Sequence, residues 1–444
     1  MKRSLLALIV SLAFIITGSM AFASAPPPKP PAAPTTGFGS PQNYICNSLY
    51  NGAPIDHNNC IDFGNTDAGE RCWVYIPSVL KNGTTAPVVI YLHGMFALVP
   101  PIYGPQIEHL VRQGYIVIFP EYNKGGFDGM FNDSNQYEQL ARAVNAVDQA
   151  LALPDVAARA ELNNIFLASH SNGGNLSMGW IANGGVPVKA MIMQHPCISN
   201  EAIPAFVRTL FLGDMIEIDA AAHGPAITCP VIVVGGVKDT IAKPVQLNQI
   251  MSYLPNAATK VQYMYDEDTY GDPDLEADHV VPCQDDGVLP GWLLDLMASM
   301  GFSAFEENSD DYRIHFAAVD AALAGLTRVP FDRGKWSDGR AVNPVVKVYD
   351  PDIAGVMLYE HCDYNAGITG AYAVQLTKGV YNLGGLAARG FSNDSLSSIK
   401  IPSGWKVTLY KDDNFSGTTK VLYGNNSCLT GIGFNDVVSS IKVE

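Results

Sequence analysis

A serine set between small residues is the first candidate for chemistry. The segment IFLASHSNGGNLSMGW begins as an apolar strand pattern, enters a glycine-rich turn and continues as a helical pattern. Ser171 lies at that turn, with Ser169 two positions before it and Gly173 two positions after it. A turn this tight needs nearly side-chain-free residues at those two positions, and it presents its serine at a helix N-terminus, where developing negative charge is favoured. We therefore predict Ser171 as a nucleophile; the alternative is a strand-to-helix turn without chemistry.

An acid and a base that could serve this nucleophile follow later in the chain. Asp239 comes just after the apolar run VIVVGG, and His279 lies in the loop segment EADHVVP. Asp239 is favoured over Asp214 and Asp219 because neither of these follows a predicted strand. His279 is favoured over His315, which begins the apolar helical pattern HFAAVDAALAGL and is interpreted as a core or helix-entry residue.

Short apolar runs alternate with helical patterns through most of the chain. Continuous apolar runs of this length are typical of strands covered on both faces, and their alternation with helices predicts a mostly parallel sheet in an α/β domain. Asn135 and Glu138 have the spacing of a capping box at the start of one helical pattern. Strands are predicted at 71–77, 87–92, 115–119, 165–168, 190–193 and 231–235.

The region from about residue 70 to 325 resembles the secreted α/β-hydrolases, namely lipases, cutinase-like and polyester hydrolases, and dienelactone-hydrolase-like esterases. The order Ser171, Asp239, His279 matches the order of the triad in that fold. The resemblance implies attack by Ser171, general acid/base catalysis by His279 and an acyl-enzyme intermediate.

The segment PVVIYLHGMFA resembles the oxyanion loop of the same hydrolases. The resemblance implies that the backbone N–H of Met95 holds the oxyanion together with that of Asn172, with Phe96 as a less favoured alternative to Met95. His93, in the same segment, is interpreted as a structural loop residue.

The character of the chain changes near residue 328. From Val346 onward it is rich in Gly, Ser, Tyr and β-branched residues, and it repeats itself. The segment VMLYEHCDYNAG resembles VTLYKDDNFSG, and NDSLSSIKI resembles NDVVSSIKV. Two copies of one strand–turn–strand pattern predict an all-β duplicated domain.

These repeats resemble the βγ-crystallin double Greek key. The resemblance implies a calcium site at each N/D-N/D-x-x-S/T-S motif, where carboxylate and hydroxyl oxygens suit a hard cation. The alternative is that these residues only make local turn hydrogen bonds. The implied ligands are Asn393, Asp394 and Ser397 in the first copy and Asn435, Asp436 and Ser439 in the second.

The domain organisation follows from these patterns. We predict a signal peptide at 1–23, a proline-rich linker at 24–42, an α/β-hydrolase domain at 43–327, a linker at 328–345 and a βγ-crystallin-like domain at 346–444. Lys2 and Arg3 precede an apolar run that is too short to span a bilayer, and Ala21-Phe22-Ala23 has the pattern of a cleavage site. We therefore expect a secreted protein, extracellular or periplasmic, without a transmembrane segment.

Charge and cysteine spacing argue against two further functions, nucleic-acid binding and metal or redox chemistry at paired cysteines. The 444 residues carry a formal net charge of −16, from 27 basic and 43 acidic side chains, so no basic footprint indicates nucleic-acid binding. None of the eight cysteines forms a C-x-x-C pair, and export favours disulfides. Cys362 and Cys428 are alone in the last hundred residues, so they either pair with each other or are buried thiols.

The sequence thus predicts a secreted serine hydrolase that cleaves carboxylic esters of lipids, polyesters or small acyl groups. A calcium-binding module with possible surface or polymer contacts would follow it. The alternatives are a peptidase or thioesterase on the same fold, or a non-catalytic surface-binding protein. The acid-rich segment Asp266 to Asp286 is interpreted as a solvated loop, with a cation site or an effect on His279 as alternatives. The apolar segment Pro290 to Phe302 predicts a helix that is either a lid or an extra packed helix.

Overall fold

The computed structural model describes residues 24–28, 44–46, 61–62, 71–77, 79–95, 97–124, 133–199, 215–284, 291–299, 302–303 and 305–444. The predicted signal peptide and most of the predicted proline-rich linker lie outside these residues.

One large mixed sheet of ten strands organises the first part of the chain. Its order is β1-β3-β5-β4-β6-β7-β8-β9-β10, and β2 pairs with β3. The strands from β5 to β9 in this order are parallel, whereas β1, β2, β3 and β10 join it in antiparallel pairs. The strands are β1 Tyr44–Cys46, β2 Ile61–Asp62, β3 Arg71–Pro77, β4 Ala86–Leu92, β5 Ile116–Pro120, β6 Ala160–His170, β7 Met191–Gln194, β8 Val231–Gly236, β9 Lys260–Tyr265 and β10 Val346–Tyr349.

Helices cover both faces of this sheet, as the continuous apolar runs predicted. Val88 and Ile90 of β4 belong to one buried cluster, whereas Val89 and Tyr91 belong to another. Successive side chains of a strand point to opposite faces, so the two clusters are the two faces of the sheet. The helices of this part are α1 Gly104–Arg112, α2 Gln136–Ala152, α3 Pro154–Ala157, α4 Asn172–Gly179, α5 Ala220–His223, α6 Pro244–Tyr253, α7 Gly291–Ser299 and α8 Ala317–Leu323.

The N-cap predicted for α2 is formed, although Glu138 contacts the side-chain amide of Asn135 and not its backbone N–H as in a complete capping box. The Asn135 side chain accepts hydrogen bonds from the backbone N–H groups of Tyr137 and Glu138, and its amide donates to the Glu138 carboxylate. These contacts satisfy N–H groups that the first turn of a helix leaves without partners. They fix the start of a helix whose next residues reach the candidate site.

The order of the strands creates a crevice beside β4. The chain passes from β4 to β5 on one side of it and then crosses to β6 on the other side. In open α/β sheets, ligands bind where the strand order reverses, outside the carboxyl ends of the strands. The turns that follow β4 and β6 are therefore the favoured place for a site.

The C-terminal region consists of strands, two 3-10 turns and one short α-helix, α9 Leu383–Ala387, which the sequence did not predict. It contains a three-stranded sheet, β12-β11-β14, and a four-stranded sheet, β13-β17-β15-β16, with antiparallel pairs throughout. Its apolar residues form a buried cluster of their own. The strands are β11 Val356–Tyr359, β12 Ala373–Leu376, β13 Gly379–Tyr381, β14 Ser398–Lys400, β15 Val407–Asp412, β16 Ser416–Leu422 and β17 Ser440–Val443.

The segment predicted as a linker, 328–345, packs against the first part of the chain. Trp336 is buried, and Arg333 forms a buried ion pair with Asp310. Strand β10 then pairs with β9, so the large sheet extends across the predicted boundary between residues 345 and 346. Aperiodic sequence, rich in charge and glycine, resembles a free linker when its packing partners are unknown.

Helix α6 contacts the C-terminal region directly. The Asn248 side chain donates to the carbonyl oxygens of Arg389 and Gly390, and the Gln249 side chain donates to that of Gly370. Val245 packs against the C-terminal apolar cluster. The helix that follows the candidate acid thus forms part of the surface on which the all-β region rests.

The buried ion pair gives a test of this packing. We expect Arg333→Ala to lower the free energy of unfolding by about 3–5 kcal/mol, because it leaves the Asp310 charge buried without its partner. Arg159→Ala is the control, since Arg159 and Asp155 form an exposed pair that contributes about 0–1 kcal/mol. Urea unfolding followed by circular dichroism measures both; equal losses would contradict the packing of the 328–345 segment.

Candidate active site and candidate calcium site

Ser171 occupies a sharp turn between β6 and α4. Its backbone has φ 53° and ψ −118°, outside the ordinary regions for a residue with a side chain. Gly173 makes the turn possible, because a Cβ there would overlap the carbonyl oxygen of Leu92. Such backbone strain in a non-glycine residue is concentrated at functional sites. Local sequence therefore places the serine hydroxyl at the carboxyl edge of the sheet.

The three residues predicted as a triad lie in contact. The Ser171 hydroxyl is 2.7 Å from Nε2 of His279, and Nδ1 of His279 is 2.8 Å from Oδ2 of Asp239. Ser171 follows β6, Asp239 follows β8 and His279 follows β9, so parallel strands bring their carboxyl ends to one edge. All three side chains are largely buried. This geometry allows the imidazole to take a proton from the serine.

The Asp239 carboxylate is fully enclosed and held by several donors. Its Oδ1 accepts hydrogen bonds of 2.8 Å from the backbone N–H groups of Ile241 and Ala242. Burial alone would raise the pKa of Asp239, but the charge of His279 and the hydrogen bonds from His195 and His279 hold the pKa well below its usual range. The group is therefore a buried anion that can orient and stabilise an imidazolium.

The rival residues occupy other environments. His315 is buried in a π-helical turn, Asp311–Phe316, and its Nε2 lies 3.1 Å from the Tyr265 hydroxyl. Asp219 caps α5 by accepting from the N–H of Ala222, and Asp214 lies outside the described residues. His93 is stacked on Tyr122, and burial lowers its pKa to about 3.

The backbone N–H groups predicted for the oxyanion follow β4 and β6. Met95 lies in the turn after β4, and Asn172 is the first residue of α4. Within the described part of the chain, neither N–H donates to another protein group. The Asn172 side chain is fixed between Gln136, which donates to it at 2.6 Å, and Gln139, which accepts from it at 3.1 Å. Phe96 lies outside the described residues.

His170 is a site residue that the sequence interpretation missed. Its Nε2–H donates to the carbonyl oxygen of His279 at 2.9 Å, so its Nδ1 accepts from the Tyr103 hydroxyl at 2.8 Å. The Tyr103 oxygen in turn accepts from the N–H of Gly94. Burial, followed by the charges of His279 and His195, lowers the pKa of His170 well below its usual range. A neutral histidine thus ties the Met95 turn to the His279 loop.

A small apolar cavity of about 30 Å³ lies beside Ser171 and His279. Met297 of α7 forms part of its wall, so the apolar segment predicted as a lid or packed helix does reach the site. The space is about that of one small group. The remaining lining side chains are Met95, Ala97, His170, Val280, Cys283 and Phe305.

Two carboxylates of the acid-rich segment near His279, Asp268 and Asp278, are buried and accept hydrogen bonds from backbone N–H groups. Asp268 accepts from the backbone N–H groups of Tyr270 and Asn343, and Asp278 accepts from those of Val280 and Ser303. Residues 285–290 lie outside the described residues. Asp268 and Asp278 are therefore buried acceptors that tie this segment to other parts of the chain, which differs from the predicted solvated loop.

The two Asn-Asp-x-x-Ser-Ser motifs exchange contacts in the C-terminal region. The Ser397 hydroxyl of the first motif is 3.0 Å from Oδ1 of Asp436, and the Ser439 hydroxyl of the second is 3.4 Å from Oδ1 of Asp394. Asp394 and Asp436 both have positive φ, at 54° and 52°. Each hydroxyl therefore lies beside the carboxylate of the other repeat, which gives two oxygen clusters of the kind that Ca²⁺ prefers.

A disulfide lies next to these clusters. Cys362 is bonded to Cys428, so of the two alternatives predicted for this pair the disulfide is confirmed. The Cys362 sulfur lies 3.8 Å from Oδ1 of Asn435, one of the predicted ligands. Among the described cysteines of the first part, Cys197, Cys229 and Cys283 are free thiols.

The relatives and solved structures described below each match about a fifth of the chain. No family model matches the chain. Development-specific protein S of Myxococcus xanthus is 39% identical over 80 residues, which is 18% of this chain and 44% of that protein. A homolog of protein S from the same organism is 39% identical over 74 residues, 17% of this chain and 41% of that protein. The chain thus spans less than half the length of these relatives.

Solved βγ-crystallin domains match almost over their full length. One from Flavobacterium johnsoniae is 40% identical, with 20% of this chain and 92% of that chain covered and a TM-score of 0.18. One from Clostridium beijerinckii is 35% identical, with 20% and 95% covered and a TM-score of 0.18. The C-terminal region is a βγ-crystallin domain. In the part of the chain that the structure describes, no helix is both long enough and apolar enough to cross a membrane.

The disulfide gives a prediction for the stability of this βγ-crystallin domain. Cys428→Ser should lower its free energy of unfolding by about 2–4 kcal/mol, because the bond closes a loop of 66 residues in the unfolded chain. Thermal unfolding with and without a thiol reductant measures this effect. The unsubstituted protein should lose stability on reduction, and the variant should not respond; a response of the variant equal to that of the unsubstituted protein would contradict the prediction.

Proposed function

We propose that the first part of the chain is a serine hydrolase of α/β-hydrolase type that cleaves carboxylic esters. The observation that carries the proposal is the continuous contact from the Ser171 hydroxyl through His279 to the buried Asp239 carboxylate. The strained backbone of Ser171 and the crevice beside β4 add support, because both belong to sites rather than to ordinary packing.

The proposed reaction uses these groups in two half-reactions. Ser171 Oγ attacks the ester carbonyl while Nε2 of His279 takes its proton, and the N–H groups of Met95 and Asn172 hold the resulting oxyanion. The intermediate expels the alcohol, which receives the proton from His279, and leaves an acyl-enzyme. Water, deprotonated by His279, then releases the acid and restores the serine. Asp239 stabilises the imidazolium in both steps.

The surroundings of Ser171 favour an uncharged substrate with a small acyl group. The adjoining cavity is apolar and holds about 30 Å³, which suits a short acyl chain better than a long one. The net charge of −16 disfavours polyanionic substrates. The same triad could also act on lipid or polyester substrates, or catalyse a peptidase or thioesterase reaction. The alternative from another functional class is a non-catalytic surface-binding protein.

We further propose that the protein is secreted and that its βγ-crystallin domain binds Ca²⁺. Two observations support export. The sequence begins with two basic residues followed by an apolar run, and disulfides form and persist in oxidising compartments outside the cytosol. For calcium, the proposed ligands are Asn393, Asp394, Ser397, Asn435, Asp436 and Ser439. The support is the placement of each serine hydroxyl beside the aspartate of the other repeat. Contact with a surface or polymer through this domain is part of the same proposal.

Substitution of the proposed triad tests the activity. Ser171→Ala should abolish hydrolysis of p-nitrophenyl acetate without unfolding the protein, because alanine fits the turn. A fluorophosphonate should label Ser171. His279→Ala and Asp239→Asn should each lower kcat by about 10⁴-fold, since either change removes proton transfer or its orientation.

The comparison for these variants is His315→Ala, which should mainly affect stability because His315 reaches Asp239 only through Tyr265 and His195 and transfers no proton to or from Ser171. A loss of kcat from His315→Ala that matches the loss from His279→Ala would reverse the assignment of the base. Labelling at another serine would overturn the assignment of the nucleophile.

Calcium binding should appear as stabilisation of the βγ-crystallin domain. At 100 times Kd, one bound ion stabilises the folded state by about 2.7 kcal/mol, so the melting temperature should rise with millimolar Ca²⁺. Asp394→Ala and Asp436→Ala should each weaken calcium binding in calorimetry, with Glu444→Ala, which removes an exposed carboxylate of the same domain, as control. Ester hydrolysis should persist in chelator. Loss of hydrolysis on chelation would contradict this division of roles.

A further inference from the structure

A second histidine contacts the proposed triad acid. Nδ1 of His195 lies 2.7 Å from Oδ2 of Asp239, the same oxygen that accepts from His279. Both the His195 and the Asp239 side chains have 0% exposure. The reaction described above needs only one imidazole on this carboxylate, so it leaves His195 without a role.

The hydrogen bonds of His195 have a defined direction. An ionised carboxylate only accepts, so Nδ1 of His195 carries the proton and donates it to Asp239. In the neutral imidazole, Nε2 then accepts from the Tyr265 hydroxyl, which lies 2.9 Å away. The Tyr265 oxygen is left to accept from Nε2 of His315 at 3.1 Å. Three buried side chains, His195, Tyr265 and His315, thus form a chain that ends on the triad acid.

The backbone of His195 also has an unusual conformation at this point of the structure. His195 follows β7 with φ 45°, and its N–H donates to Val234 of the neighbouring strand at 2.7 Å. Among the described residues before residue 350, the non-glycine residues with positive φ are Ser171 and His195. A left-handed residue costs roughly 1–2 kcal/mol, so it persists where its surroundings require it. Here the conformation accompanies the contact between the imidazole and Asp239.

The other hydrogen-bond donors to Asp239 show which oxygen depends on His195. The N–H groups of Ile241 and Ala242 hold Oδ1 of Asp239, but the only donors to Oδ2 that the described residues supply are His279 and His195. During the reaction His279 must shift between neutral and charged forms while its partner stays still. A second donor on Oδ2, outside the proton transfer, keeps that oxygen in place through the cycle.

We propose that His195 is a positioning residue that fixes Oδ2 of Asp239 for His279. This inference rests on the proposed esterase function, because the triad is what it positions. It assigns His195 no contact with substrate and no proton transfer to the ester.

Two substitutions that both tolerate positive φ separate the hydrogen bond from packing. His195→Gly removes the donor, whereas His195→Asn places an amide N–H close to the position of Nδ1. Both variants lose the imidazole ring and its contact with Tyr265. We expect His195→Gly to lower kcat about 10- to 100-fold, as for the loss of a hydrogen bond to a charged group, with KM within about twofold. His195→Asn should recover most of this loss.

A spectroscopic measurement tests the arrangement without turnover. In the full-length protein labelled with ¹⁵N-histidine, proton NMR should show two low-field Nδ1–H signals, from His195 and His279. His195→Asn should remove one of them and leave the other, and Ser171→Ala should keep both. A single low-field signal in the unsubstituted protein would overturn the proposal, even if the His195→Gly variant does not fold.

The outcomes also separate this inference from the proposed function. If Ser171→Ala abolishes hydrolysis but His195→Gly keeps the unsubstituted kcat, the positioning role is wrong and the esterase proposal stands. Equal losses of kcat in His195→Gly and His195→Asn would also overturn it, because packing would then explain both. If Ser171→Ala leaves hydrolysis unchanged, the esterase proposal itself fails.

Discussion

The burial of one charged carboxylate is the constraint around which the first part of this molecule is arranged. An ionised group removed from water is tolerated only when its oxygens are satisfied by donors. Asp239 meets this requirement with two backbone N–H groups and two imidazoles, contributed by its own turn and by the segments after β7 and β9. Three neighbouring strands must therefore end at the same level. The parallel sheet provides this arrangement because it places their carboxyl ends along one edge.

Two chains of buried polar side chains converge on His279 from this edge. One runs from His315 through Tyr265 and His195 to the carboxylate beneath the imidazole. The other runs from the turn after β4 through Tyr103 and His170 to the backbone carbonyl of His279. Hydrogen bonds between buried side chains restrain the groups that they connect. Burial lowers the pKa of both His170 and His315, and a neutral imidazole can donate from one ring nitrogen and accept at the other.

In the βγ-crystallin domain, the two sequence repeats contribute to each other's oxygen clusters. Each Asn-Asp-x-x-Ser-Ser motif supplies a serine to the aspartate of the other copy, so neither motif completes an oxygen cluster alone. The disulfide ties the turn at Cys362 to the neighbourhood of the second motif. This domain also rests on α6, the helix that begins shortly after Asp239. The two parts of the chain are therefore joined by packing as well as by sequence.

What the sequence determined by itself is local in character. The apolar runs predicted the parallel strands, the Asn135 capping box predicted the start of α2, and the spacing around Ser171 predicted its turn, since each depends on neighbours within a few residues. The repeats predicted the duplicated β domain because the sequence contains both copies of the pattern. The tertiary structure alone decided the roles of His170 and His195, which have no pattern of their own and acquire partners only when distant strands end side by side. It also placed β10 and Trp336 against the first part of the chain, because whether an aperiodic segment is free or packed depends on surfaces encoded elsewhere.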